Sequence, residues 1–250
     1  MLYKLRIVLI RVIQRLFNTI NLQLDKLSPR SNPDLQVACI LKKFEIDLVI
    51  DIGANEGQFA SQIRYFGYSG KIVSFEPLLS AHSKLVTLAQ RDPLWDVYQR
   101  CAIGDYDGQV DLNISHNSVS SSILTITQLH TNAEPRSKIT GKETVNIFKL
   151  DSILSPYLKN SKGSFLKIDT QGFEWQVLDG CDNCLNLFKG ILCELSLLPL
   201  YESQHLWMEI IERLSNSGFI LYAILPGFTD KSDGRTLQVD AIFVRGDSLT

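Results

Sequence analysis

The first chemistry in this chain stands where an apolar run breaks into a carboxylate and a glycine. Asp51-Ile52-Gly53-Ala54-Asn55-Glu56-Gly57 ends the run DLVIDIG and leads into a helical segment. Gly53 suits a tight strand-to-helix turn, and Gly57 permits close packing or ligand approach. The stretch lacks the G-x-G-x-x-G spacing of a dinucleotide loop. About 25 residues after Asp51, Glu76 ends a second apolar run in SFEP, where a carboxylate can accept both ribose hydroxyls of an adenosine ligand. Glycine turn and strand-end acid together point to a nucleoside site. A strand-turn-helix with an incidental surface Glu is the plain structural alternative.

Other chemistries find less support. No Ser-His-Asp set or G-x-S-x-G elbow is present, which argues against a hydrolase. Cys181 and Cys184 form one Cys-x-x-Cys, but without a second pair or a nearby histidine the spacing reads as packing. His82 and His205 fall in helical stretches and His130 in a loop, none at ligand spacing, so no metal is assigned.

Strand ends of this kind need a sheet. DLVIDIG, KIVSFEP, WDVYQRCAIG, QVDLNIS, SFLKIDT, GILCELS, FILYAIL and VDAIFVR read as strands. QFASQIRYFG, AHSKLVTLAQ, FEWQVLDGC and HLWMEIIERLSNSG read as helices, the last with Gly218 as its C-terminal stop. Buried apolar strands alternating with helices predict an α/β, doubly wound, mostly parallel sheet covered on both faces. Ligands in such sheets sit beyond the carboxyl ends of the strands, near the switch point. Residues 113–146 read as irregular and hydroxyl-rich.

The 250 residues are 45% hydrophobic and 21% charged, with 25 Lys+Arg against 27 Asp+Glu. That composition fits one large core and excludes disordered or disulfide-stapled classes. A net charge of -2 supplies no global field for nucleic acid. Five cysteines, an odd number in mostly apolar runs, suit buried thiols in a reducing compartment, the cytoplasm. Residues 1–20 carry Leu2, Leu5, Leu9, Val12, Ile13, Leu16 and Ile20 on one helical face and Lys4, Arg11, Gln14, Arg15 and Asn18 on the other. Arginines interrupt the run too often for a secretory signal or a bilayer span. This basic amphipathic helix packs on its own domain or a second subunit, or lies in a membrane interface. Ser28-Pro29 and Asn32-Pro33 mark a linker, so residues 1–32 form a helix and linker and residues 33–250 one domain.

VIDIGANEGQF, VSFEP, CAIGD and LKIDTQGFEWQVLDG, with ELSLLPLYE as a weaker fifth stretch, together resemble the FkbM family of class I S-adenosylmethionine-dependent methyltransferases. The resemblance implies a Rossmann-like seven-stranded sheet and S-adenosylmethionine as cofactor. It implies that Asp51, Gly53, Asn55 and Gly57 hold the methionine end, Glu76 the ribose, and Ala102 the adenine edge. It also implies an O-methyltransferase, several relatives acting on sugar or polyketide-type hydroxyls. A hydroxyl is a poor nucleophile until its proton is accepted. Asp169, with Lys167 on the same strand face, is the first candidate base, a core salt bridge being the competing reading. Glu194 and His116 are the others. Asn117, Ser121, Ser122, Gln171 and Glu174 are candidates for reading a sugar or glycan acceptor, Glu174 alternatively serving a helix dipole. A nucleotide-cofactor oxidoreductase and a non-catalytic adenosyl-binding module are the alternatives from other classes. A peripheral contact at the inner face of a membrane and a homo-oligomer are the expected associations.

Overall fold

Asn32 starts the folded body: its side chain accepts the Leu35 amide at 2.7 Å, and Pro33 takes the first helical position, where its missing N–H breaks no bond. The computed structural model describes residues 10–17, 19–20 and 26–249. Residues 10–17 form helix α1, and Ile10, Val12, Leu16 and Ile20 are exposed. Leu2, Leu5, Leu9, Lys4 and Asn18 of the expected amphipathic helix lie outside the described residues. Among the described residues no helix is long and apolar enough to cross a membrane.

After α2 (Pro33–Lys43) the chain runs β1 (Leu48–Ile52), α3 (Gln58–Tyr65), β2 (Lys71–Phe75), α4 (Leu79–Ala89), β3 (Trp95–Val97), β4 (Ala102–Ile103) and β5 (Gly108–Ser115). It continues through α5 (Gln128–Ala133), β6 (Ile139–Phe148), α6 (Leu150–Ile153), α7 (Ser155–Leu158), β7 (Ser164–Ile168) and α8 (Glu174–Asp179). β8 (Phe188–Ser196), α9 (Trp207–Asn216), β9 (Phe219–Pro226) and β10 (Gln238–Arg245) complete the order. Seven strands form one sheet, β3-β2-β1-β7-β8-β10-β9, in which β10 alone runs antiparallel to its neighbours. The order reverses between β1 and β7, so the carboxyl ends of these two strands open a crevice.

Side-chain alternation divides the core between the two faces. Val49, Ile72, Phe165, Leu192 and Ile242 pack under α2, α3 and α4, while Ile50, Val73, Leu166, Ile191 and Phe243 pack under α6, α8 and α9. β1 and β7 are buried along all five residues, which is why both read as mostly apolar stretches, each with one buried charge, Asp51 and Lys167. Ser217 caps α9 and Gly218 follows at φ 84°, the stop expected there.

Three expectations require correction. WDVYQRCAIG is not one strand: it divides into β3 of the main sheet and β4 of a second sheet, β4-β6-β5. Residues 113–146 are irregular only in part, since β6 pairs antiparallel with β5 and α5 lies between them, which leaves 116–127 as the loop. β6 keeps only Val145 and Ile147 buried, so its apolar period is too sparse to see. His130 lies in α5 rather than a loop, and His205 precedes α9 rather than lying within it.

Candidate active site

The crevice holds a cavity of about 630 Å³ lined from β1, β2, β7, β8, β10, the start of α2 and the segment following β5. Its floor begins with glycine. Gly53 has φ 70°, and a Cβ there would stand 1.8 Å from the Asp169 carbonyl oxygen, so β1 and β7 approach this closely only with glycine between them. Asn55, left-handed at φ 47°, donates its amide to Glu76 Oε2 at 2.7 Å. Glu76 Oε1 accepts the Leu78 amide at 2.8 Å. Burial pushes the Glu76 carboxyl up to about 7 against these two bonds. Cys101, Ala102 and Ile103 add a mostly apolar edge.

Behind this wall a polar ladder crosses the sheet. Trp95 Nε1 donates to Ser74 Oγ at 3.0 Å, and Ser74 Oγ donates to Asp51 Oδ2 at 3.1 Å. Lys167 Nζ stands 3.3 Å from Asp51 and 3.4 Å from Asp169, and donates to the Gly53 carbonyl at 2.9 Å. Burial opposes the ammonium, but Asp169 and Asp51 outweigh it and hold the Lys167 pKa above its ordinary value. The salt bridge weighed as a competing reading of Asp169 is therefore present, and the Asp169 carboxylate still reaches the cavity.

Gln171 joins two candidate bases. In the left-handed region at φ 56°, its Nε2 donates to Asp169 Oδ1 at 2.9 Å and to Glu194 Oε2 at 2.7 Å. Tyr201, fully buried, donates its hydroxyl to Gln171 Oε1 at 2.8 Å and so fixes which way the amide faces. Gln238 Nε2 gives Glu194 Oε2 a second bond at 2.8 Å. Burial, then Asp169, Asp240 and Glu174, hold the Glu194 carboxyl well above the usual carboxylate range.

Of the residues expected at the site, Gly53, Asn55, Glu76, Ala102, Asn117, Ser121, Ser122, Asp169, Gln171 and Glu194 line one cavity. Asp51, Gly57, His116 and Glu174 stand outside its lining, each for a local reason. Asp51 is wholly buried beneath Lys167. Gly57 opens α3 at φ 93°, and a Cβ there would meet the Trp95 ring at 2.8 Å, so it serves packing. His116 is exposed: the His116 and Asn117 amides donate to the Lys138 and Arg136 carbonyls. Glu174 turns back instead of reaching the cavity. Its Oε1 accepts the amides of Thr170 and Gly172 and the Thr170 hydroxyl, bracing the turn that presents Gln171.

Sequence reasoning missed Asp34, His130, Gln238 and Asp240, which also line the cavity. Asp240 had a signal, a lone acid inside the apolar run VDAIFVR. His130, buried and stacked edge-on against Tyr201, has its pKa pushed down to about 4 by burial.

Crystal structures similar to the chain include the methyltransferase domain of bacterial CtHen1, at 10% identity and TM-score 0.46, over 87% of this chain and 100% of that one. The O-methyltransferase from Bacillus cereus in complex with SAH is 13% identical with TM-score 0.44, over 94% and 90%. Aeropyrum pernix fibrillarin with natively bound S-adenosyl-L-methionine is 10% identical with TM-score 0.42, over 79% and 66%. No curated protein sequence matches the chain. The model of the methyltransferase FkbM domain matches residues 51–221, more than half of the chain and every strand end of the crevice from β1 to β8. The glycine floor and the Glu76 carboxylate fit an adenosyl ligand, and the chain belongs to the FkbM family of S-adenosylmethionine-dependent methyltransferases.

Proposed function

We propose that this methyltransferase acts on a hydroxyl of a sugar, glycan or related small molecule, with residues 33–250 as its catalytic unit. The observation that carries the reading is the make-up of the cavity wall. Toward β1 and β2 it offers a glycine floor, the Glu76 carboxylate and the Ala102 edge; toward β8 and β10, with the 117–122 loop, it offers amides, hydroxyls and carboxylates. A polyol can satisfy such groups, whereas a phosphodiester chain would meet the carboxylates of Asp34, Glu76, Glu134, Asp169, Glu194 and Asp240.

When bound, S-adenosylmethionine supplies a sulfonium methyl for an oxygen nucleophile. Each Glu76 oxygen takes one backbone amide and keeps a lone pair for a ribose hydroxyl. Gly53 and Asn55 present backbone to the methionine end, and Asp51 and Gly57 hold that backbone from behind. Asp169, ion-paired with Lys167, sets negative charge beside a cationic donor. Glu194, whose carboxyl favours the protonated form, offers a hydrogen bond to the acceptor. Holding two reactants in line accounts for much of such a rate.

Calorimetry with S-adenosylhomocysteine tests this. Glu76→Ala should weaken binding more than tenfold, about 1.5–3 kcal/mol for a lost charged hydrogen-bond pair. Because Glu76 ionises near 7, wild-type affinity should rise from pH 6 to 8, and Glu76→Gln should abolish that rise. Failure of the wild type to bind either S-adenosylmethionine or its demethylated product would end the proposal.

On the same reading the enzyme works at the inner face of a membrane. Five free cysteines support a reducing compartment, and α1, with Arg11 and Arg15 beside exposed Ile10, Val12 and Leu16, supports a lipid contact.

A further inference from the structure

We propose that Asp240 receives the acceptor: it takes the hydrogen bond of the hydroxyl and then its proton, and with Asp34 it admits a neutral or ammonium-bearing acceptor and repels an anionic one. The inference rests on methyl transfer to a hydroxyl as proposed above. Both residues lie outside the stretch 51–221 that matches the family.

The cavity carboxylates differ in what already holds them. Glu76 accepts two backbone amides, Asp169 is held by Gln171 and Lys167, Glu194 by Gln171 and Gln238, and Glu134 by Arg136. Among the described residues, the Asp34 and Asp240 side chains have neither a hydrogen bond nor an ion pair, though both line the cavity. The cationic side chains in the lining are Lys167 and Arg136; the first is shared by Asp51 and Asp169 and the second is paired with Glu134. A largely buried carboxylate left without a partner is costly, and a polyhydroxyl acceptor supplies the donors that Asp240 and Asp34 lack.

Asp240 is also rigidly placed. It lies on β10 directly across from Glu194, two residues from the Gln238 that clamps Glu194. Burial, then Asp169, pushes its carboxyl up to about 7, with Lys167 opposing and Asp34 adding to the effect, the range in which a carboxylate is an effective base at neutral pH. Glu194 is less suited as a base, since burial and its acidic neighbours keep its carboxyl well above the usual carboxylate range and so protonated. In the step, the acceptor O–H bond breaks toward a carboxylate oxygen of Asp240. The oxygen pair forms the new bond to the methyl carbon, and the C–S bond breaks with its electron pair staying on sulfur. A neutral thioether is left, and Asp240 later returns its proton to water.

The test uses the full chain saturated with S-adenosylhomocysteine and labelled with γ-¹³C aspartate, the Asp240 carboxyl resonance being the one lost in Asp240→Asn. Methyl glucoside, methyl glucosaminide and methyl glucuronide serve as neutral, cationic and anionic probes. The Asp240 resonance should move with the first two and stay still with the third. If it stays still with all three, or moves with the glucuronide, the proposal is overturned. Absence of S-adenosylhomocysteine binding would instead sink the donor site proposed above. Asp240→Asn should keep S-adenosylhomocysteine affinity within about twofold while transfer of labelled methyl to the accepted glycoside falls at least about a hundredfold, and Asp240→Glu should recover part of it. An Asp240→Asn variant with wild-type transfer also overturns the proposal.

Discussion

Lys167 and Asp51 face each other directly across β7 and β1, and the ammonium stands 3.3 Å from a carboxylate that solvent does not reach. Removing one partner of such a pair strands the other charge. Lys167→Met should cost about 3–5 kcal/mol of stability. With the ammonium gone, the Asp51 carboxyl, already raised by burial, rises further above its unfolded value. A raised acid penalises the fold above its unfolded pKa and ceases to do so as it takes up a proton. The loss should therefore be larger at pH 8 than at pH 5, and thermal melting at the two values checks it.

Gly53 and Gly57 lie four residues apart in one loop and make opposite demands. Gly53→Ala drives a methyl into the Asp169 carbonyl. Backbone cannot swing aside as a side chain can, so both stability and S-adenosylhomocysteine binding should fall, stability by more than about 4 kcal/mol. Gly57→Ala meets the Trp95 ring and should cost about 1–3 kcal/mol with affinity within a few fold of wild type. Denaturant melts beside calorimetry separate the two.

Glu174 carries a carboxyl pushed up to about 7 by burial, so the fold loses stability as pH rises from the ordinary carboxylate value towards 7 and bears the full cost above it. Glutamine retains a carbonyl for the Thr170 and Gly172 amides and removes the charge. Glu174→Gln should gain on wild type as pH rises from 5 to 8, by up to a few kcal/mol. A constant difference across that range would remove Glu174 from the pH response.

For α1, the full chain should co-sediment with anionic vesicles more than with neutral ones and lose the difference in high salt. Leu16→Glu with Ile20→Glu should release it. Arg11→Glu should weaken binding several-fold, at about 1 kcal/mol for each basic residue near the surface. Sedimentation with neither vesicle, together with a dimer that the double variant dissolves, would assign the helix to a subunit contact.

The sequence made the main sheet legible wherever a strand is buried on both faces, because β1, β2 and β7 then leave mostly apolar runs with an acid at or next to their carboxyl ends. Asp51, Glu76 and Asp169 could be placed at strand ends for that reason. What the pattern could not carry was side-chain direction in loops. His116 and Asn117 are adjacent, yet Asn117 lines the cavity and exposed His116 does not. Nor could it carry long-range register: Asp240 joins the cavity because β10 pairs with β8 at Glu194, far earlier in the chain. β6 escaped notice because its small sheet buries few of its residues.

β10 is the last strand in chain order, yet it enters between β8 and β9, and the residue pairing with Glu194 arrives with it. Until that insertion happens, β8 and β9 each show a bare edge, and Glu194 lacks Gln238 as well as Asp240 across from it. If Asp240 receives the acceptor as proposed above, acceptor binding has to await this insertion. A refolding chain should acquire its helices and its β1–β7 pairing before it can hold an acceptor, and an intermediate stalled at that stage would be prone to strand exchange with its neighbours through the open slot.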